Sequence, residues 1–125
     1  MSQVDNLYQN FINDFSETMC LLTEGSSYSN ILFVCIGTDR ITGDAFGPLV
    51  GYKLKKLFAN ADRINVIGDL ENPVRANNIE CTLKWINENF TNPFIIAVDS
   101  ALSVPSRVGS ISVGEGPLSL RYRVK

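Results

Sequence analysis

The chain has 125 residues, of which 45% are hydrophobic and 19% are charged, and it contains no histidine. This composition is typical of one small globular domain and excludes an intrinsically disordered segment. The net charge of -2 excludes the basic footprint of a nucleic-acid-binding protein or of a protein held on an anionic membrane surface. Mechanisms that need an imidazole, such as a Ser-His couple, are excluded as well.

Apolar runs are short in this sequence. The longest, 31–36 and 94–98, cannot span a membrane, and the amino terminus has neither a basic region nor an apolar signal core. We therefore expect a cytoplasmic protein. The three cysteines form no C-x-x-C pair, and their apolar surroundings predict buried free thiols at Cys20, Cys35 and Cys81.

The first half of the chain predicts a helix, a strand and a second helix. Apolar residues at steps of three and four indicate an amphipathic helix over 5–24. The continuous apolar run 31–36 is typical of a strand covered on both faces of a parallel sheet. The second helix is predicted over 45–58. Its expected inward face consists of Phe46, Val50, Leu54 and Leu57.

The second half continues the alternation of strands and helices. A strand is predicted over 64–67, a helix over 79–90 and a strand over 94–98, while 108–113 is a candidate fourth strand. A β-α-β-α-β order predicts an α/β fold, a three-layer sandwich built on a mostly parallel sheet. We expect a single domain over 1–125.

The first and third strands are the most apolar, so we expect them side by side with the second strand outside the first, in the order 2-1-3. This order creates a crevice beyond the carboxyl ends of the first and third strands. The segments 37–44 and 99–103 lie at this crevice, and both carry carboxylates. The glycines of the first segment match neither phosphate-loop signature, and Asp39 and Asp44 would repel an anion.

Two aspartates are the main candidates for chemistry. Asp44 either caps the second helix or acts as a functional carboxylate. Asp99 directly follows an apolar strand, where it either caps the next turn or has its pKa raised by desolvation. If these two acids face each other they can share one proton, so that one activates water and the other polarises a carbonyl. That arrangement would hydrolyse a bond without histidine.

Other polar residues near this edge have weaker signals. Glu71 follows the second strand and is expected either to line the crevice or to lie in a solvated loop. Asp39 either contributes to the pocket or forms a local turn with a salt bridge.

Several motifs resemble the YyaC family of sporulation proteins from endospore-forming bacteria. They are CIGTDR, TGD, GPLVG and VGEGPL at 35–40, 42–44, 47–51 and 113–118. More distantly, Thr42, Asp44 and Asp99 resemble the aspartate motifs of the spore germination protease, an aspartic-type endopeptidase that degrades small acid-soluble spore proteins. Hydrogenase maturation endopeptidases share the same fold and bind nickel with an acid at the position of Asp44.

The resemblance implies a phosphorylase/hydrolase-like fold and a peptidase acting on a protein or peptide in the cytoplasm of the mother cell or forespore. Asp44 and Asp99 are then the catalytic acids. Residues expected to contact substrate are Thr38, Asp39, Thr42 and Glu71. No cofactor is expected, and a divalent metal at the two aspartates is not favoured, because the missing histidine removes one ligand of the nickel enzymes. The alternative is a non-catalytic sporulation protein that binds a protein partner or a small ligand.

Members of the sporulation family continue well past the VGEGPL motif, so we expect this chain to lack the C-terminal part of the family domain. The sheet edge after the fourth strand would then be uncovered. We expect the chain either to self-associate through this edge, as a homo-oligomer, or to end in a disordered tail.

Overall fold

The computed structural model describes residues 3–25, 27–37 and 45–99. These residues belong to two compact units, and one of them contains helix α1 (Gln3–Thr23). The other contains the remaining elements: β1 (Ile31–Cys35), α2 (Phe46–Leu57), β2 (Ile64–Ile67), α3 (Ile79–Asn89) and β3 (Phe94–Val98). The candidate fourth strand lies outside the described residues. Among the helices of the described ranges, none has the length and apolar character needed to cross a membrane.

Helix α1 is amphipathic, as its apolar spacing predicts. The rings of Phe11 and Phe15 lie one turn apart with their centroids 5.8 Å from each other, and both side chains are half-buried. The hydroxyl of Thr23 donates to the carbonyl of Met19 at 2.6 Å and satisfies one of the last carbonyls of the helix. Gly25 follows with a φ of 71°, a conformation that suits a glycine after a helix end.

Within the described residues the sheet has three parallel strands in the order β2-β1-β3, which confirms the predicted core order. In the register, Ile31 of β1 pairs with Ile64 of β2 and with Phe94 of β3. β1 is the central strand and the most buried of the three, with Leu32, Val34 and Cys35 fully buried, because a central strand is covered on both faces.

Helix α3 covers one face of the sheet. Alternate β1 residues point to this face, and Leu32 and Val34 are fully buried there against Ile79 and Ile86 of the helix. Leu83 and Phe90 pack at the margin of this cluster. The helical stripe predicted from the sequence is therefore the core stripe of α3.

Helix α2 covers the opposite face, and its predicted inward face is correct only in part, since Val50 and Leu54 are half-buried. Phe46 is 44% exposed and Leu57 is 72% exposed, whereas Gly47, Pro48 and Gly51 are buried. The helix lies very close to the strand ends: a Cβ atom on Gly51 would stand 1.9 Å from the carbonyl oxygen of Gly68, at the end of β2. Small residues face the sheet because nothing larger fits at this separation.

The two helices on opposite faces make this unit a three-layer α/β sandwich. At the far end of α2, the ring of Phe58 stacks on Phe33 of β1 at 5.9 Å. Phe33 alternates with Leu32 and Val34, so it lies on the face opposite to α3.

The prediction of three buried thiols is correct only for Cys35. Cys20 on α1 and Cys81 on α3 are exposed, since each lies outside the apolar stripe of its helix. Burial between the sheet and α2 raises the pKa of the Cys35 thiol to about 11; the positive charge of Lys55 opposes this rise, and the negative charge of Asp69 adds to it.

Candidate functional site

The carboxyl ends of β1 and β3 lie side by side. The amide of Ile36, just past β1, donates to the carbonyl of Val98 at 2.8 Å. Asp99 follows Val98 directly and is half-buried. Because neighbouring strands are about 4.8 Å apart, Asp99 leaves the sheet beside the backbone of residues 36–37. Asp99 therefore lies at the carboxyl end of β3, as predicted.

The segment 38–44 leaves and rejoins the described chain at this same edge. Before it, the amide of Gly37 donates to the carbonyl of Val74 at 2.8 Å. After it, α2 begins at Phe46, and a Cβ atom on Gly47 would stand 2.1 Å from the carbonyl oxygen of Ile36. Both ends of the segment are therefore held at the carboxyl end of β1.

Four predicted site residues fall within this segment and lie outside the described residues: Thr38, Asp39, Thr42 and Asp44. Their proximity to Asp99 stays a prediction. The N-cap position of α2 is occupied by Ala45, which makes no side-chain capping bond, rather than by Asp44. Among the described residues, no three His, Cys, Asp or Glu side chains come together as a group that could hold a metal ion.

An acid that the sequence reasoning did not select, Asp69, is held in a structural role. Its carboxylate receives a hydrogen bond from the Lys55 ammonium at 2.7 Å and others from the amides of Glu71 and Asn72 at 3.1 and 2.7 Å. The hydrogen bond from Lys55 is the main reason that the pKa of Asp69 lies below its ordinary value. Asp69 stays ionised at neutral pH, and it fixes the turn after β2 to helix α2.

Glu71 is exposed and lies on this turn, on the β2 side of the edge. It borders an open groove of about 480 Å³ between the β2–α3 connection and α3. Asp99 is not among the residues that line this groove. Together, the residues that line it are Ile67, Glu71, Asn72, Pro73, Val74, Arg75, Asn78, Cys81, Thr82 and Trp85.

The groove contains Arg75, a cation with an unsatisfied donor. The Nε atom of Arg75 is buried and has no hydrogen-bond partner, and Arg75 forms no salt bridge in the part of the chain that the structure describes. Trp85, half-exposed on α3, contributes an aromatic wall. Sequence reasoning missed this groove, although Asn78, Cys81, Thr82 and Trp85 recur at helical spacing beside the core stripe of α3 and give a signal for a second helix face.

Comparison with known proteins identifies relatives of this chain. Residues 3–125 match the profile of a family described as protein of unknown function, DUF1256. A protein of Bacillus subtilis (strain 168) named uncharacterized protein YyaC is 49% identical to this chain over 88 residues. This match covers 70% of the chain but 42% of the relative, so the chain spans less than half of that protein's length. No solved structure matches the chain.

Proposed function

The chain belongs to the DUF1256 family, which includes YyaC, and from this membership and the sheet edge described above we propose that it is a sporulation-associated peptidase. Hydrolysis is of the aspartic type, with Asp44 and Asp99 as a two-carboxylate site. The substrate is a protein or peptide in the cytoplasm of the mother cell or forespore. Bacillus, the genus of the relative, forms spores.

The observation that carries this proposal is the position of Asp99. Its carboxylate follows β3 directly, one strand away from the point where the segment containing Asp44 begins and ends. In a parallel sheet with this strand order, the edge beyond the adjacent strand ends is where ligands are bound. Two acids anchored at neighbouring strand ends can come within hydrogen-bond reach of the same water.

The chemistry follows from two carboxyl groups that share one proton. The ionised carboxylate takes a proton from water as its oxygen attacks the scissile carbonyl carbon, and the protonated carboxyl donates a hydrogen bond to the carbonyl oxygen. Like charges held close together cannot both ionise easily, so the proton shared by the pair is held more tightly than the proton of an isolated aspartate. Thr38, Asp39, Thr42 and Glu71 are the proposed substrate contacts around this pair.

A cleavage assay with matched variants tests the proposal. The chain and its Asp44→Asn and Asp99→Asn variants are incubated with a purified small acid-soluble spore protein, and the products are identified by mass spectrometry. Asparagine preserves the size of aspartate and removes its charge, so we expect a loss of rate of about 100-fold or more with circular dichroism unchanged. Asp62→Asn, at an exposed site in the turn before β2, is the control and should cleave at the parental rate.

Two results would overturn the proposal. One is an Asp99→Asn variant that cleaves as fast as the parent. The other is a folded parent chain that cleaves no peptide bond at any pH between about 2 and 8, a range that extends from the acidic values known for such pairs to neutral pH. The second result would favour the non-catalytic alternative.

A further inference from the structure

We infer that the groove between the β2–α3 connection and α3 binds an extended acidic peptide, with Arg75 receiving a carboxylate and Trp85 receiving an apolar side chain. The inference goes beyond the proposed function, because the groove includes neither Asp44 nor Asp99 and shares only Glu71 with the proposed substrate contacts. It concerns binding alone, and it can fail or succeed whatever happens at the two aspartates.

Arg75 has a buried hydrogen-bond donor, its Nε atom, that has no acceptor. A buried, unpaired donor of a charged group is unfavourable in a folded protein. The guanidinium has five donors in a planar fork, which matches the two oxygens of a carboxylate. A carboxylate in the groove would pair with the two terminal nitrogen atoms of this fork, and its negative charge would offset the cost of the shielded Nε atom.

The backbone that carries Arg75 is fixed before any ligand arrives. Its amide donates to the Oδ1 atom of Asn78 at 2.7 Å, and the Nδ2 atom of Asn78 donates to the carbonyl of Pro73 at 3.3 Å. These two bonds close the turn that leads into α3. A preorganised cation loses less entropy on binding than a mobile one.

The groove has the size and the surface of a ligand site. Its volume of about 480 Å³ lies within the usual range for ligand sites, and it is open to solvent rather than enclosed. Trp85 is 50% exposed and stands beside Ile67 and Val74, so an apolar side chain next to the carboxylate finds a surface to pack on. The groove is an open trough, and the side-chain amide of the exposed residue Asn72 can form hydrogen bonds with a peptide backbone there.

Glu71, an acid that lines the groove, does not cancel the expected preference for an acidic peptide. Glu71 is exposed, so its repulsion of an acidic peptide is screened by water, whereas Arg75 is half-buried and its attraction is screened less. Glu71→Gln is accordingly expected to strengthen binding by less than about fivefold.

Trp85 makes the inference measurable, because it is the single tryptophan of the chain. The probes are the blocked peptides acetyl-Ala-Ala-Leu-Glu-Ala-Ala-amide and its Gln counterpart, titrated into the full 125-residue chain while tryptophan emission is recorded. We expect a saturable change with the Glu peptide and an affinity for the Gln peptide at least about tenfold lower.

Variants separate the roles of the residues. Arg75→Gln should bind both peptides equally weakly, and Arg75→Lys, which keeps the charge without the fork, should give an intermediate affinity; circular dichroism checks that both are folded. Lys84→Gln removes a positive charge from an exposed site on the same helix and should leave binding unchanged. Asp99→Asn should also bind normally, whether or not it cleaves.

Three results would overturn the inference: no saturable change in emission, equal affinity for the two peptides, or a folded Arg75→Gln variant that still prefers the Glu peptide. A fourth is an equal response to sodium acetate or inorganic phosphate at the peptide concentration, which would show a site for simple anions instead of a peptide.

Discussion

Replacing Gly51 by alanine tests how closely α2 approaches the sheet. The added Cβ atom would stand 1.9 Å from the carbonyl oxygen of Gly68 and 3.3 Å from the Cβ atom of Cys35. A carbon and a carbonyl oxygen normally come no closer than about 3.3 Å, so the helix must move by about 1.4 Å. Both atoms at the closest contact are held by backbone, and neither can turn aside.

The magnitude is set by two opposing effects. Alanine favours a helix over glycine by about 1 kcal/mol, whereas overpacking a tight interface costs about 1–3 kcal/mol and occasionally more. Because the overlap here is with backbone, we expect the upper end of that cost, and a net loss in the free energy of unfolding of about 2 kcal/mol.

Urea denaturation followed by circular dichroism measures this loss, with the m-value showing whether unfolding remains two-state. Lys53→Ala, at an exposed position of the same helix, is the control and should change the free energy of unfolding by less than about 0.5 kcal/mol. If Gly51→Ala is as stable as the parent, or more stable by the helix-propensity difference, the close approach of α2 to β2 is wrong.

Three further predictions concern ionisable groups. The pKa of Asp69 is lowered in the folded state, so its contribution to stability is present above the ordinary value of 3.8 and is lost as the pH falls through the lower folded-state pKa; Asp69→Asn should cost about 1 kcal/mol at pH 7 and progressively less as the pH falls below 3.8, and a cost that does not change with pH would refute the role of Lys55. The pKa of Cys35 is raised to about 11, so the unfolded thiol ionises first and stability should fall as the pH rises above the ordinary value of 9.0. With a thiol reagent at pH 8, Cys20 and Cys81 should react quickly and Cys35 only on unfolding, and three equally fast thiols would contradict its burial.

The strand order was predictable because it depends on a strong and local signal. β1 and β3 are apolar at every position, whereas β2 contains Asn65, so the two apolar strands are expected side by side with β2 outside β1. The apolar run of β3 also predicts where this strand ends, and therefore where Asp99 lies. The stripe of α3 was predictable for a similar reason, since Ile79 and Ile86 are large apolar residues at helical spacing and fill the space above the sheet.

The most buried positions of α2 were not predictable from apolar spacing, although Val50 and Leu54 of the predicted face are half-buried. Those positions are glycines and a proline, and their contacts depend on how near the helix comes to Ile36 and Gly68, which are distant in sequence. A pattern of large side chains therefore pointed to Phe46 and Leu57, which the structure leaves exposed. The groove at Arg75 was missed because a single cation in a turn has no periodicity.

The glycine contacts at the start of α2 also affect the chain entropy of the segment that contains Asp44. Gly47 against Ile36 brings the two ends of 38–44 to one place, so the closure of these seven residues is enforced by the scaffold on either side. A side chain at position 47 would push these two ends apart and lengthen the span that the segment has to bridge. The closure entropy of the segment therefore depends on Gly47, a residue that lies outside it.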